Sequence, residues 1–243
     1  MQVPIRDQVV VITGATRGIG RATAIELARA GARLALLGRD EAALAEVGRE
    51  VRELGAEVAC YAGDLRDHGR SAEIAAETLE RFHEVDALVN NAAVGKYGSF
   101  LELGDEDWHE MFDVNVLSLV AVTQAFLPGM LARGKGHVLN VSSVQGMEAT
   151  STSSAYSATK FALMGLSQSL AREMGPQGIR VSVLCPGSVE TDFDGFPGYL
   201  KPQAMLPEEV AEAILDMLES AGRAHMAQVT LMPFGRRRGV GDP

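Results

Sequence analysis

The chain has 243 residues, 47% hydrophobic and 22% charged, a balance that fits an ordinary soluble globular protein with ample core. A formal net charge of −10 and a pI near 5.0 argue against a nucleic-acid partner, which would want a basic face. Two distant cysteines, Cys60 and Cys185, and five scattered histidines offer no metal-ligand spacing, so buried free thiols and no metal are expected.

Along the chain, MQVPIRDQVVVITG reads as a start rather than a signal peptide. VVVIT (9–13) is the first predicted strand, followed by the turn TGATRGIG (13–20) and the helix-patterned GRATAIELARAG. RLALL (33–37) and EAALAEVGREVRELG repeat that order, with Gly31 and Gly55 placed to end the two helices. VACY (58–61), the amphipathic SAEIAAETLERFHE and DALVN (86–90) come next. The apolar window VNVLSLVAVTQAFLPGML is broken by Asn115, Gln124 and Pro128, making it a poor membrane span. HVLNVS (137–142) and RVSVLC (180–185) bracket a hydroxyl-rich stretch and a helix, in which Ser/Thr residues 150–154 read as a loop with an N-cap at its end. Segment 186–206, with Phe193, Phe196 and Tyr199 among prolines and glycines, suits a loop closing over something apolar. The helix-patterned MLPEEVAEAILDML and the strand QVTLM (228–232) finish the pattern; 235–243, with Arg236, Arg237 and Arg238, reads as a solvated tail.

Short Val/Ile/Leu runs without alternation imply strands covered on both faces, hence a parallel sheet. The β–α alternation predicts an α/β fold with a doubly wound seven-stranded sheet, in a single domain spanning 1–243. The chain reads as cytoplasmic.

Two stretches carry chemistry. In TGATRGIG, glycines let backbone N–H groups approach a pyrophosphate, and the helix that follows offers partial positive charge. In YSATK, Tyr156 and Lys160 stand four residues apart, on one face of a helix. Alone, such a pair is usually a surface pair.

The glycine turn resembles the T-G-x-x-x-G-x-G loop of the short-chain dehydrogenase/reductase family. The likeness continues in order through VNNAA (89–93), Asn115 in DVNVLS, the serine of VSSVQG, YSATK and PGSVET. It implies a Rossmann fold, an NAD or NADP cofactor, and hydride transfer between that cofactor and a ketone, aldehyde or secondary alcohol. By resemblance, Gly14, Thr16, Arg17, Gly18, Ile19, Gly20, Asp64, Leu65, Asn91, Ala92, Pro186, Gly187, Val189 and Thr191 would bind cofactor together with Tyr156 and Lys160. Arg39 follows the second strand at once, and with Arg17 it can hold a 2′-phosphate, so NADP(H) is expected; Asp40 is the counter-indication, because a carboxylate there could serve a ribose 2′-hydroxyl.

The resemblance makes Tyr156 the proton donor or acceptor. A free tyrosine has a pKa near ~10, and neutral operation takes about 4 kcal/mol in favour of the phenolate. Lys160, helped by a cationic nicotinamide ring, is expected to supply it. Ser143, thirteen residues before the tyrosine as the family has it, would polarise the substrate oxygen in preference to Ser142. Asn115 would hold a water in a relay to Lys160. Val94, Tyr97, Met147, Phe193 and Phe196 are expected to line the substrate pocket with Ser143, while Lys96 and Lys201 are cations without an assigned place. Ala93 replaces the usual family glycine, which requires a backbone that tolerates a Cβ.

Three rivals are weaker. SATK is a literal S-x-x-K, but the S-D-N and K-T-G of penicillin-recognising enzymes do not occur. Epimerases of the extended branch carry G-x-x-G-x-x-G and a longer C-terminal part, and oxoacyl-carrier-protein reductases commonly have V-D-G-G where this chain has AQVTLMPFGRRRG. A non-catalytic NADP-binding redox sensor or scaffold of the same fold remains the alternative. The family also implies a homodimer or homotetramer through helices near 105–131 and 154–174, with Phe112, Val116, Leu119, Phe161, Met164 and Leu166 available.

Overall fold

The computed structural model describes residues 4–193, 204–220 and 224–234. Its elements follow the expected alternation: β1 (Val9–Thr13), α1 (Gly18–Arg29), β2 (Arg33–Gly38), α2 (Glu41–Glu53), β3 (Val58–Ala62), α3 (His68–Phe82), β4 (Ala87–Asn90), α4 (Asp105–Phe112), α5 (Ser118–Arg133), β5 (Gly136–Val141), α6 (Ser154–Met174), β6 (Ile179–Pro186), α7 (Pro207–Glu219) and β7 (Gln228–Leu231). The strands form one parallel sheet in the order β3-β2-β1-β4-β5-β6-β7.

Successive residues of a strand serve opposite layers. Val10 and Ile12 of β1 join a core with Leu27 of α1, Leu44 of α2 and Ile214 of α7, whereas Val9 and Val11 join Ile74 of α3 and Phe126 of α5 on the other face. Both faces are therefore helix-covered, which is why the strands read as continuous apolar runs. Gly31 and Gly55 follow α1 and α2 with φ of +90° and +89°, ending them as expected. Between β1 and β4 the strand order reverses, and this switch point opens a crevice at the carboxyl ends of the strands.

Residues Asp105–Arg133 run as one long helical stretch, long and apolar enough to cross a membrane by length and composition. Here Leu119, Val122, Phe126 and Met130 are buried within the chain. A five-residue π turn, Asp113–Leu117, joins α4 to α5 and carries the buried Asn115. Such turns are rare and concentrate at functional sites. Of the apolar residues expected to be free for association, Leu119 and Met164 are instead buried within the chain, Met164 against Val183 and Cys185 of β6; Phe161 is exposed and Phe112, Val116 and Leu166 are half-buried.

Candidate active site

The crevice is built first from the turn after β1. Gly14 has φ +65°, and a Cβ there would come within 2.9 Å of the Ala92 backbone; a Cβ on Gly20 would stand 2.1 Å from the Gly14 carbonyl oxygen. Only hydrogen fits at either place. Asn91 locks this turn to the end of β4, its Nδ2 donating to the carbonyls of Thr13 (3.0 Å) and Gly14 (3.2 Å). The Thr13 hydroxyl accepts from the backbone N–H groups of Asn91 and Ala92, both at 3.0 Å. Ala93 has no positive φ, so its Cβ is accommodated without backbone strain.

A cleft of about 1750 Å³ runs from this turn across the sheet edge. At its glycine-turn end it is lined by Gly14, Thr16, Arg17, Gly18, Ile19 and Arg39, and further along by Asp64, Leu65, Asn91 and Ala92. Pro186, Gly187, Val189 and Thr191 border it after β6, and Val94, Ser143, Tyr156, Lys160 and Phe193 lie towards its other end. Gly20 itself is covered by Gly14 rather than lining the cleft. Asp40, the expected counter-indication to a 2′-phosphate, is the N-cap of α2: its Oδ1 accepts from Ala43 N–H at 3.0 Å. One of its oxygens is thus committed to the helix, and Arg39 projects beside it from the exposed end of β2.

The chemical residues come from the ends of β5 and the start of α6. Ser143 begins a 3₁₀ turn, Val144–Gly146, and its Oγ accepts from Gln145 N–H at 3.1 Å. Tyr156 and Lys160, one turn apart on α6, are both buried, with the Lys160 Nζ 5.5 Å from the centre of the tyrosine ring. Lys160 Nζ donates to the Val141 carbonyl at 3.1 Å, which ties the ammonium to the end of β5. Ser142, the serine not chosen, donates to the Lys160 carbonyl at 3.4 Å, while the Ser143 hydroxyl bonds the Tyr156 phenol.

The electrostatics differ from expectation. Burial pushes the Tyr156 phenol above the ordinary tyrosine value, the neighbouring Tyr97 adds to the rise, and the Ser143 hydrogen bond opposes it. Burial likewise lowers Lys160 to about 8. Within the chain alone, desolvation of both groups outweighs the pull of ammonium on phenolate that the i, i+4 spacing implies. The tyrosine is therefore held protonated.

Asn115 is placed beside this centre but acts on the backbone. Its Oδ1 accepts from Val94 N–H (2.8 Å), and its Nδ2 donates to the Val94 carbonyl (2.9 Å) and to Thr159 Oγ1 (3.0 Å). Its side chain thus holds the loop after β4 against α6. Tyr97 and Phe193 flank the Tyr156 ring at 5.6 and 5.7 Å between centroids, and burial raises Tyr97 to about 12.

Some expectations fail. Met147 does not line the cleft; as the residue closing the 3₁₀ turn it faces out, its sulfur against Gln228 Nε2 at 3.2 Å. Lys96 is paired with Asp107 (2.8 Å) and Glu110 (2.7 Å) and is no free handle for an anion. Ser153 is the N-cap of α6, yet its hydroxyl makes no cap bond, because it donates to Thr150 O (2.8 Å) and meets Ser157 Oγ (3.0 Å) instead. Cys60 is only half-buried, whereas Cys185 is buried, and both are free thiols. Phe196, Tyr199, Lys201 and the tail 235–243 lie outside the described residues. Conversely, Arg66, Gln145 and Thr150 line the cleft without having been expected there. Arg66 grips Asp64 through Nε (3.1 and 3.0 Å) and holds that carboxyl below its ordinary range. An arginine two residues after an aspartate on a turn was the available signal for that pair; nothing comparable marked Gln145.

A family model described as short chain dehydrogenase matches residues 8–196. An uncharacterized oxidoreductase of Staphylococcus saprophyticus is 34% identical over 232 residues, covering 95% of this chain and 99% of that protein. Another from Staphylococcus epidermidis is 30% identical over 94% of this chain and 98% of its own. Among solved structures, an alcohol dehydrogenase from the archaeon Thermococcus sibiricus complexed with 5-hydroxy-NADP superposes with a TM-score of 0.88 at 34% identity, covering 94% of this chain and 97% of that one. An actinorhodin polyketide ketoreductase variant with NADPH gives 0.87 at 30% identity, covering 96% and 98%. The family model covers most of the chain and the relatives nearly all of it, at 30% identity or more: the protein is an oxidoreductase belonging to the short chain dehydrogenase family.

Proposed function

We propose that the protein is an NADP(H)-dependent oxidoreductase interconverting a small ketone or aldehyde with its alcohol. The observation that carries this reading is the meeting, in one cleft, of a turn that admits no Cβ at Gly14 or Gly20, with Arg17 in it and Arg39 beside it, and of Ser143, Tyr156 and Lys160. NADP and NADPH occur in the two related structures named above, and the residues present fit that group. Gly14 and Gly20 leave room that a Cβ would fill, and α1 begins at the turn, where a pyrophosphate finds backbone donors and partial positive charge. Arg17 and Arg39 would hold a 2′-phosphate, each charge-assisted bond contributing about 1.5–3 kcal/mol. Asp40's engagement in capping α2 favours NADP over NAD.

When bound, the dinucleotide supplies the hydride that goes to the carbonyl carbon. The chain's own residues handle the oxygen. Ser143 hydrogen-bonds the carbonyl oxygen and orients it, and the Tyr156 phenol, held protonated by burial, delivers its proton to that oxygen as negative charge develops there. Lys160, fixed on the Val141 carbonyl, would stabilise the phenolate left behind and would hold the nicotinamide ribose. In the oxidative direction the same phenolate takes the alcohol proton. Asn115 keeps the Val94 loop in place, and the water relay to Lys160 is part of the proposal.

The reading extends to a cytoplasmic homodimer or homotetramer, supported by two free cysteines and by the exposed Leu117 and Phe161 on α5's approach and α6. The test is parallel titration with NADPH and NADH by nicotinamide fluorescence, followed by a carbonyl panel with Tyr156→Phe as control. Expected are tight NADPH, weak NADH, a roughly 10- to 100-fold loss of NADPH affinity in Arg39→Ala, and turnover abolished in Tyr156→Phe. NADPH binding without turnover of any carbonyl would favour the non-catalytic alternative; binding of neither cofactor would overturn the reading.

A further inference from the structure

One ring at the chemical end of the cleft comes from a segment that is barely attached there. Phe193 lies seven residues past the end of β6, and its ring reaches the loop after β4. A Cβ built on the buried Gly95 would stand 2.5 Å from Phe193 Cε1, 3.0 Å from its Cζ and 3.2 Å from Tyr97 Cε2. Gly95 has no positive φ, so what requires glycine here is the close approach of these rings rather than the backbone conformation. Tyr156 closes the remaining side. Its ring centre lies 5.7 Å from that of Phe193 at an interplanar angle of 63°, and 5.6 Å from that of Tyr97 at 45°. The seat of Phe193 is thus a phenyl-sized slot, walled by two aromatic side chains and by backbone without a side chain.

Little besides these contacts keeps the ring in its seat. Val189 bridges to Met205, and Glu190 N–H donates to the Met205 carbonyl at 2.8 Å. Beyond that bond, none of Thr191, Asp192 and Phe193 is hydrogen-bonded to another described residue. A segment without backbone hydrogen bonds moves at small cost. Thr191 leans instead on the glycine turn, its Cγ2 3.1 Å from where a Cβ of Gly18 would stand.

With the ring seated, Tyr156 is 6% exposed. A proton donor must come within about 2.6–3.2 Å of the oxygen it serves. A substrate whose oxygen reaches Tyr156 and Ser143 therefore contends with Phe193 for the same walls. A flat ring on that substrate restores the edge-to-face contact that Phe193 gives up, whereas an aliphatic group does not.

We propose that Phe193 is a specificity-determining residue that stands in for part of the substrate: the substrate class is an aryl ketone or aryl aldehyde, whose ring takes the slot between Gly95, Tyr97 and Tyr156 when Phe193 swings out. Gly95 is the second determinant, because a Cβ there would fill the slot. The inference rests on the carbonyl-reducing reading above and names the substrate class of that same site.

The test follows NADPH consumption with acetophenone, 1-cyclohexylethanone and butan-2-one in the wild-type protein, Phe193→Ala and Gly95→Ala. In the wild type, KM for acetophenone is expected to lie at least about threefold below that for 1-cyclohexylethanone, which has a ring of similar size that is not flat. Phe193→Ala is expected to lower KM for acetophenone about tenfold, since no ring of the chain competes for the slot. Gly95→Ala is expected to lower the acetophenone-to-butan-2-one ratio of kcat/KM about tenfold; taking the ratio within each protein cancels the intrinsic reactivity of the two ketones between variants. Melting curves and NADPH titration report whether each variant keeps its fold, and if Gly95→Ala does not fold, the Phe193→Ala result decides. A higher acetophenone KM in Phe193→Ala would make the ring a wall the substrate needs and overturns the inference. An unchanged ratio in folded Gly95→Ala overturns it too, as does a wild type that takes 1-cyclohexylethanone as well as acetophenone; all three leave carbonyl reduction standing. A wild-type protein that reduces none of these ketones or any other carbonyl overturns both readings.

Discussion

Asn115→Ala separates a structural duty from a chemical one. The side chain is 3% exposed and makes three hydrogen bonds, to both backbone groups of Val94 and to Thr159. Truncation removes all three and leaves the half-buried Val94 N–H without its partner. At about 1 kcal/mol net per bond, the loss is about 3 kcal/mol. For a domain of this size each kcal/mol shifts Tm by about 2–4 °C, so calorimetry should record a fall of about 6–12 °C. Amide hydrogen exchange is the sharper assay: protection at Val94 should drop about a hundredfold, since 1.4 kcal/mol is tenfold and the loss is about 3 kcal/mol. Thr159→Val, which removes one of Asn115's three partners and the bond to the Tyr156 carbonyl at 2.7 Å, should show a smaller loss on Tm and little at Val94. A folded Asn115→Ala protein with Tm within about 1 °C of wild type and unchanged Val94 exchange would show that the amide does not brace this loop.

Three further outcomes are expected. Burial lowers the Lys160 ammonium to about 8, so its charge is present below that pH and lost above it; reductive kcat/KM should decline on an alkaline limb near pH 8, and that limb should disappear in Lys160→Arg, whose guanidinium does not titrate there. Gly20→Ala forces a methyl to 2.1 Å from the Gly14 carbonyl oxygen and 2.6 Å from Asn91 Nδ2, so the turn must open; NADPH affinity should fall more than about tenfold, read by fluorescence titration. His137 is buried with Nε2 at 2.8 Å from Ser182 Oγ and Nδ1 without a partner among the described residues, and burial lowers it to about 3. Its unfolded form takes a proton below pH 6.5 while the folded form does not, so stability is present above 6.5 and lost as pH falls towards 3; urea unfolding should show a loss of about 2 kcal/mol by pH 5 that is smaller in His137→Gln.

Much of the fold was legible because burial leaves its mark on local sequence. Each of the seven apolar runs became a strand, with ends shifted by a residue or two, since continuous Val/Ile/Leu character is what a strand covered on both faces requires. Gly14 and Gly20 were legible for a related reason: a turn that admits no Cβ must be written in glycine. The family likeness added Ser143, Tyr156 and Lys160, and the fold gathers them into one cleft.

Other features depended on partners distant in sequence. Asp40 reads in the sequence as a candidate ligand of a ribose 2′-hydroxyl, until Ala43 N–H is seen on its oxygen and the residue caps α2. Ser153 stands at an N-cap position, but Thr150 and Ser157 claim its hydroxyl. Met147 belongs to the right turn and the wrong side of it. The spacing of Tyr156 and Lys160 implied a lowered phenol, yet burial, a property of the whole fold, moves the phenol up and the ammonium down. Gln145 drew no attention because its partner Ser157 lies twelve residues on and meets it only when α6 packs against the 3₁₀ turn. By itself, the sequence determined the sheet and the glycine turn, because periodicity and steric exclusion act between near neighbours; the family resemblance named the candidate reacting groups. Tertiary structure alone decided protonation, orientation and which side chains face the cleft, because desolvation and hydrogen-bond partners are set by segments that meet only on folding.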